Sequence, residues 1–305
     1  MSRTLTRLAL TPTVLTRLAV SRLVLAVALL GVVALPLQAQ VDADWTRPFP
    51  PFQIVGNIYW VGSYDLSSYL ITTPQGHILV NTGVGDTARQ IKKSVEELGF
   101  KMADIKILTA THGHYDHVAG MAELKRMTGA RLLISEADKP LLETGGKADF
   151  RFGSTPGAQF EPVKVDGTFN DGEHIALGGT TLTAHLNAGH TKGAMSFTLD
   201  VTDGGKTFRV VIANMGSINP GVVLSGKPSY PTIAQGYAHT FMAQKDMKVD
   251  VWLASHASQF QMHEKHKPGD PYAPGRFVDP EGFRASVLKL ERTYLAQLAA
   301  EGGRK

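Results

Sequence analysis

Not one of the 305 residues is a cysteine. Disulfides therefore contribute nothing to stability, and attachment to a membrane through a lipidated cysteine is excluded. The first 39 residues also lack any acid, against four arginines: Arg3, Arg7, Arg17 and Arg22. That one-sided stretch accounts for the whole formal charge of +4. Of the 31 basic residues 27 lie beyond it, against 27 acidic ones, which leaves zero. A balanced body carries no surplus of positive charge for nucleic acid or an anionic membrane, so neither is expected as a partner. There is no short tandem repeat and no low-complexity linker.

The apolar run Leu23–Leu35 has 13 residues, short of the ~20 that a spanning helix needs. Arginines precede it, Pro36 breaks it, and Leu37-Gln38-Ala39 follows. This order reads as a signal peptide over residues 1–39, cleaved after Ala39, with a mature chain starting near Gln40 in the periplasm. An uncleaved membrane anchor is the alternative, and the short run disfavours it. Residues 40–305 are read as a single domain, and 43% hydrophobic residues are enough to build a sizeable core.

Alternating apolar positions predict antiparallel strands over Ile54–Val61 and Ser68–Val80, with a turn at Pro74-Gln75-Gly76. Helical spacing follows over Thr87–Leu98, ended by Gly99. Ile105–Leu108 reads as a buried strand, Val118–Met127 as a helix, Arg131–Ile134 as a strand and Glu136–Glu143 as a short helix. The second half repeats the plan, with strands at Ile175–Ala176, Thr180–Leu186, Ser196–Val201 and Phe208–Ile212. Helices are expected at Ile233–Ala243 and Pro280–Ala300. The fold class is α/β: two strand-rich halves, each flanked by helices, predict a four-layer αβ/βα sandwich.

The most informative stretch is Ala110–Gly120, ATHGHYDHVAG. His112, His114, Asp116 and His117 fall within six residues, directly after a predicted strand. Neutral imidazole suits zinc, and a carboxylate oxygen completes such a site. Gly113 and Gly120 are expected to let the turn bend sharply. Two further histidines stand at strand ends, where open sheets present ligand-binding groups. His190 lies in the glycine-flanked Gly189-His190-Thr191-Lys192-Gly193, and His256 ends the apolar run Val251–Ala254.

His-x-His-x-Asp-His, then Gly-His-Thr-x-Gly, then a strand-end histidine, resembles the metallo-β-lactamase superfamily over nearly the whole mature chain. The absences narrow the resemblance. Two of the three zinc β-lactamase subclasses use a cysteine thiolate on the second metal, which this chain cannot supply. Glyoxalase-type hydrolases bridge their metals with an aspartate after the fourth conserved strand. Here that strand reads Val210-Val211-Ile212-Ala213-Asn214-Met215-Gly216-Ser217, without an acid.

What remains resembles the cysteine-free third subclass, whose fold is the same four-layer sandwich. That resemblance implies two zinc ions per chain. His112, His114 and His190 would bind the first, and Asp116, His117 and His256 the second. It further implies a β-lactam as small-molecule substrate, opened by attack of a metal-bound hydroxide. Asp116 would also orient the hydroxide or relay a proton. Resistance to penicillins, cephalosporins and carbapenems would follow.

Substrate contacts are expected from Ser217, Asn219 and Tyr115. The family binds the substrate carboxylate through hydroxyls after the fourth strand, and Ser217 matches one such position while Met215 replaces the other. Asn81 stands where the superfamily usually has an aspartate that supports the metal loop. A flexible loop over Gly145–Gly157 would overhang the substrate or form a plain surface excursion. Trp45–Phe52 is read as packing onto the body, with a cleft wall as the alternative. His263 and His266 are assigned to a solvated face. Met215 and Asn81 keep open a lactonase or other ester hydrolase on the same scaffold. A non-catalytic periplasmic zinc-binding module is a further alternative, disfavoured because all six ligands are present.

Overall fold

Strand alternation and helical periodicity, read from the sequence, become two sheets packed face to face in a computed structural model that describes residues 42–303. The predicted signal peptide, its cleavage point and Gln40 lie outside the described residues. One sheet has seven strands in sequence order: β1 (Phe52–Val55), β2 (Ile58–Trp60), β3 (Tyr69–Thr73), β4 (Gly76–Val80), β5 (Ile105–Thr109), β6 (Arg131–Ser135) and β7 (Gly167–Phe169). Its first four strands pair antiparallel, and β4 to β7 run parallel. The other sheet is ordered β12-β11-β10-β9-β8, from Val251–Ala254, Lys206–Ala213, Met195–Asp203, Thr180–Leu186 and His174–Leu177. Only β11 and β12 are parallel in it.

Successive residues of a strand face opposite sides, which divides the apolar set into layers. Tyr69, Ile71, Ile78 and Val80 face the second sheet and pack with Phe197, Leu199, Val210 and Ile212. Leu70, Leu79, Leu108 and Leu132 face outward and pack under Ile91, Val95 and Leu124 of the helices Thr87–Glu97 and Met121–Thr128. Tyr237, Phe241, Val287 and Tyr294 cover the far side of the second sheet from the helices Ile233–Asp246 and Pro280–Gly302. The layers are helix, sheet, sheet, helix, the predicted α/β sandwich.

Differences from the sequence reading have local causes. The expected strand Ile54–Val61 is a hairpin, turned at Gly56 with φ 50 and Asn57. The expected helix Val118–Met127 starts earlier, as Tyr115–Val118, and restarts at Met121 beyond Gly120. The short helix begins at Lys139, because residues 136–138 leave β6 in a turn. β7 has no counterpart in the sequence reading, whereas β12 is the strand expected to end before His256. β12 is buried along its length although it is an edge strand, because Val278 bridges Val251 and Asp279 accepts from Trp252 Nε1 at 3.0 Å.

Candidate metal centre

The loops that follow β5, β6, β9, β11 and β12 meet at one rim of the sandwich, and backbone-to-side-chain bonds fix them before any ligand is considered. The backbone N–H of Thr111 donates to Asn81 Oδ1 at 2.9 Å. Thr111 Oγ1 lies 2.9 Å from Ser255 Oγ, one residue before His256. Asn81 sits at φ 64, a left-handed conformation that asparagine tolerates better than most residues. Its amide oxygen supplies the acceptor the metal loop needs, while its buried Nδ2 has no partner.

Gly113 and Gly120 serve close approach rather than a bend. Neither has positive φ, and a Cβ would sit 2.8 Å from Leu141 in one case and 2.9 Å from the Thr82 carbonyl in the other. Gly189 does need its freedom: φ is 133, and a Cβ would lie 2.7 Å from the Tyr237 ring.

A fully buried carboxylate fastens two of the loops together. Asp138 accepts from Gly113 N at 2.9 Å, Gly193 N at 2.8 Å and Thr191 Oγ1 at 2.7 Å. Burial pushes its pKa up against those three donors. Asp138→Ala would strand donors that each cost about 1–3 kcal/mol when buried and unpaired. A net loss of about 3 kcal/mol would lower Tm by roughly 6–12 °C. Thermal denaturation followed by circular dichroism checks this, and an unchanged Tm would show that the clasp is dispensable.

Five imidazoles and one carboxylate converge at this rim. Ring centroids are 4.4 Å apart for His112–His117, 4.7 Å for His112–His190, 4.7 Å for His114–His190 and 5.0 Å for His117–His256. His114 Nδ1 lies 3.1 Å from His190 Nε2. Asp116 Oδ2 lies 3.1 Å from His117 Nε2 and 3.4 Å from His256 Nε2. Two overlapping groups, His112-His114-His190 and His112-Asp116-His117, bring one ligand-type atom per residue within 4.8 Å of one another. His256 joins the second through its contact with Asp116.

Three of the outward ring nitrogens meet protein groups, while His117 Nδ1 is buried without a hydrogen-bond partner. His190 Nδ1 donates to the Ser217 carbonyl at 2.8 Å, and His256 Nδ1 to Asp65 Oδ2 at 2.9 Å. Thr111 Oγ1 lies 3.4 Å from His112 Nδ1. The inward-facing His112 Nε2 is buried with no hydrogen-bond partner, and His117 Nε2 meets only Asp116, off hydrogen-bond alignment. Buried imidazoles normally find partners. Unsatisfied nitrogens aimed at one point beside a carboxylate fit a divalent cation of the zinc type.

Electrostatics divides the cluster. Burial, then the imidazoles of His117, His190 and His114, hold His112 well below the usual range. Burial and His114 push His190 down to about 3, and burial lowers His117 despite Asp116. These rings are neutral and ready to ligate at pH 7. Burial also opposes the charge on His256, but Asp116 and Asp65 overcome it and raise the pKa to about 9. Burial would raise Asp116, yet His117 and His256 hold it well below the carboxylate range.

Tyr115 is half-buried at the rim, its ring 6.0 Å from Trp45 and 6.2 Å from Phe152. Trp45 also lies 5.9 Å from the His256 ring. The Trp45–Phe52 segment thus divides its roles: Trp45 flanks the site, while Phe49 and Phe52 pack on the body. Phe150 and Phe152 are half-buried, against Tyr230 and against His114 and Tyr115. Ser217 is half-buried, and its carbonyl receives both His190 Nδ1 and Tyr237 OH. Asn219 sits half-buried in the next turn, its carbonyl accepting from Val222 N. Met215 is packed into the core at 3% exposure.

His263 and His266 do not lie on a solvated face. His266 is buried and stacked 3.7 Å from the Phe52 ring, and His263 is stacked 3.7 Å from Tyr64. Sequence reasoning missed the three carboxylates that hold the cluster, Asp65, Asp138 and Asp149. Asp138 carried a readable sign, standing before Lys139-Pro140 as a helix-start residue.

A model of the metallo-β-lactamase superfamily matches residues 64–203. The class B3 di-zinc metallo-β-lactamase LRA-12 from an Alaskan soil metagenome is 47% identical, over 84% of this chain and 97% of that one, with a TM-score of 0.81. The metallo-β-lactamase GOB-18 of Elizabethkingia meningoseptica is 43% identical over 85% and 96% of the two chains, with a TM-score of 0.83. Among curated proteins, the hydroxyacylglutathione hydrolase GloC of Haemophilus influenzae is 35% identical over 115 residues. That match spans 37% of this chain and about half, 51%, of the relative. Motif order, fold, cysteine-free ligand cluster and near full-length likeness agree: the chain belongs to the class B3 metallo-β-lactamase family of the metallo-β-lactamase superfamily.

Proposed function

We propose that this protein is a periplasmic hydrolase that uses two zinc ions to open β-lactam rings and thereby confers antibiotic resistance. The observation that carries it is the convergence of six ligand-type side chains without a thiolate or a bridging acid, since Asn214 follows β11. His112, His114 and His190 would hold the first zinc, and Asp116, His117 and His256 the second. Bound zinc supplies Lewis acidity toward a carbonyl and lowers the pKa of water toward neutrality.

The chain's own residues do the positioning. The Ser217 carbonyl and Asp65 each take the outward N–H of a ligand histidine, leaving the inward nitrogen free to ligate. Asp116, ionised and buried, would accept a proton or orient a water beside the cluster. Trp45, Tyr115 and Phe152 border the site with apolar surface that excludes water from a bound bicyclic amide. The Ser217 hydroxyl is the candidate donor to the substrate carboxylate, with Asn219 beside it. Met215 is buried and takes no part, so this anchoring rests on fewer hydroxyls than the family pattern implies.

Export is supported by the arginine-rich start and the short apolar run of residues 1–39, which make a signal peptide followed by one hydrolase domain over 40–305. Among the described residues, no helix is long and apolar enough to cross a membrane.

The local likeness to a hydroxyacylglutathione hydrolase favours one second reading, an ester, thioester or lactone hydrolase. Competing steady-state assays separate the two. The zinc-loaded protein is expected to give a kcat/KM for a chromogenic cephalosporin and a carbapenem well above that for a hydroxyacyl thioester and an acyl lactone. The reverse order would replace the first reading with the second.

A further inference from the structure

The segment between the Lys139–Glu143 helix and β7 reaches over the rim, and it meets the cluster through Asp149. This carboxylate is 9% exposed, and its Oδ2 lies 3.1 Å from His114 Nε2. The two atoms are off hydrogen-bond alignment, but both are buried and neither has another partner. Since His114 Nδ1 faces His190 Nε2 at 3.1 Å, a proton on Nε2 toward Asp149 leaves the Nδ1 lone pair turned into the cluster.

The second oxygen of the same carboxylate folds the segment. Asp149 Oδ1 accepts from the backbone N–H groups of Arg151 and Phe152, both at 2.6 Å. The Asp149 carbonyl accepts from Gly153 N at 3.1 Å. The turn so formed places the Phe152 ring 5.1 Å from His114 and 6.2 Å from Tyr115. Arg151 Nε, on the same turn, donates to the Pro220 carbonyl at 2.6 Å and ties the segment to the rim beside Ser217.

We propose that Asp149 is a positioning residue that couples the fold of residues 145–157 to occupancy of the first metal position. The proposal rests on the metal reading above but not on the identity of the substrate. One carboxylate contacts a ligand histidine at 3.1 Å through one oxygen and accepts hydrogen bonds from the turn that carries Phe152 through the other. A cation drawing on His114 Nδ1 makes Nε2–H a stronger donor to Asp149 and so favours the ordered turn. Linkage makes the effect reciprocal: the ordered turn raises metal affinity by the same factor. The aromatic wall over the substrate is therefore completed by metal loading rather than by substrate alone.

Cobalt titration combined with hydrogen exchange of the mature protein tests this without any turnover. In the wild type, cobalt is expected to produce its d–d absorption and to slow exchange of the Arg151 and Phe152 amides. Asp149→Asn keeps the size and an oxygen for those two amides, but its Nδ2 cannot accept from His114. It should weaken the first site ~10–100-fold, as loss of such ligand-orienting partners does, and remove the cobalt-dependent protection. Arg151→Ala breaks the tie to Pro220 and removes the guanidinium that lies 4.9 Å over the Phe152 ring, but leaves the bonds of Asp149 to the backbone in place. It should keep the wild-type affinity within about threefold and retain the protection, which separates the role of Asp149 from loop disruption in general.

Unchanged affinity in Asp149→Asn, or weakened affinity with the protection intact, would overturn the coupling. Wild-type protein that binds no cobalt would overturn the metal reading together with this proposal.

Discussion

Asp116→Ala is expected to cut β-lactam turnover by roughly 10³-fold while leaving the fold in place. The carboxylate is shared by His117 and His256, at 3.1 and 3.4 Å, and it is the only acid among the six converging side chains. Without it the second position keeps two imidazoles, too few to hold a divalent ion against water. Losing about 4 kcal/mol of transition-state stabilisation, within what a metal ion supplies, corresponds to three decades in rate. The fold should survive because His256 keeps its bond to Asp65 and the cluster's loops are held by Asn81 and Asp138. Metal analysis of the variant should return one zinc per chain against two in the wild type. Two zincs with full turnover would remove Asp116 from the centre.

The second large effect concerns pH. His256 has its pKa raised to about 9 in the metal-free protein, while His112 and His190 are depressed, His190 to about 3. Ligation requires neutral imidazole, so a proton competes with metal at the second position throughout the neutral range. Zinc affinity there should rise about tenfold per pH unit from pH 6 and level off near pH 9. The sign for stability is opposite. A histidine whose folded pKa exceeds its unfolded value of 6.5 stabilises the metal-free protein fully below about pH 6.5. That contribution is lost as pH rises through about 9.

Asp65→Asn should move the break in the zinc profile to lower pH, because Asp65 is one of the two carboxylates that raise His256. Competition with a chromophoric chelator across pH 6–9 measures both sites. A profile for the second site that is flat across this range would contradict the assignment of a protonated His256.

Local features explain what could be read from the chain. His112, His114, Asp116 and His117 are packed into six residues, His190 stands in a glycine-flanked turn just beyond a strand, and His256 ends an apolar run, so strand ends send them to one rim. The groups that hold them come from far away along the chain. Asp65 reaches His256 across 191 positions, and Asp138 reaches Gly193 across 55. No periodicity marks such contacts. Asp149 was hidden inside the irregular GGKADFRFGSTPG stretch, where the absence of repeat was legible but the turn closed by its side chain was not.

Turn chemistry also decided the misplaced boundaries. Gly56 breaks an apparently continuous strand, and Gly120 splits a helix by packing against Thr82. His263 and His266 were misjudged because the aromatic partners that stack on them, Tyr64 and Phe52, are some 200 residues earlier.

The most direct test of the account is a zinc titration of carbapenem hydrolysis by chelator-stripped mature protein, with bound metal counted at each point. The account predicts no turnover without metal and full turnover once the second equivalent is bound. A protein holding two zincs per chain that leaves the carbapenem and a chromogenic cephalosporin intact would contradict it.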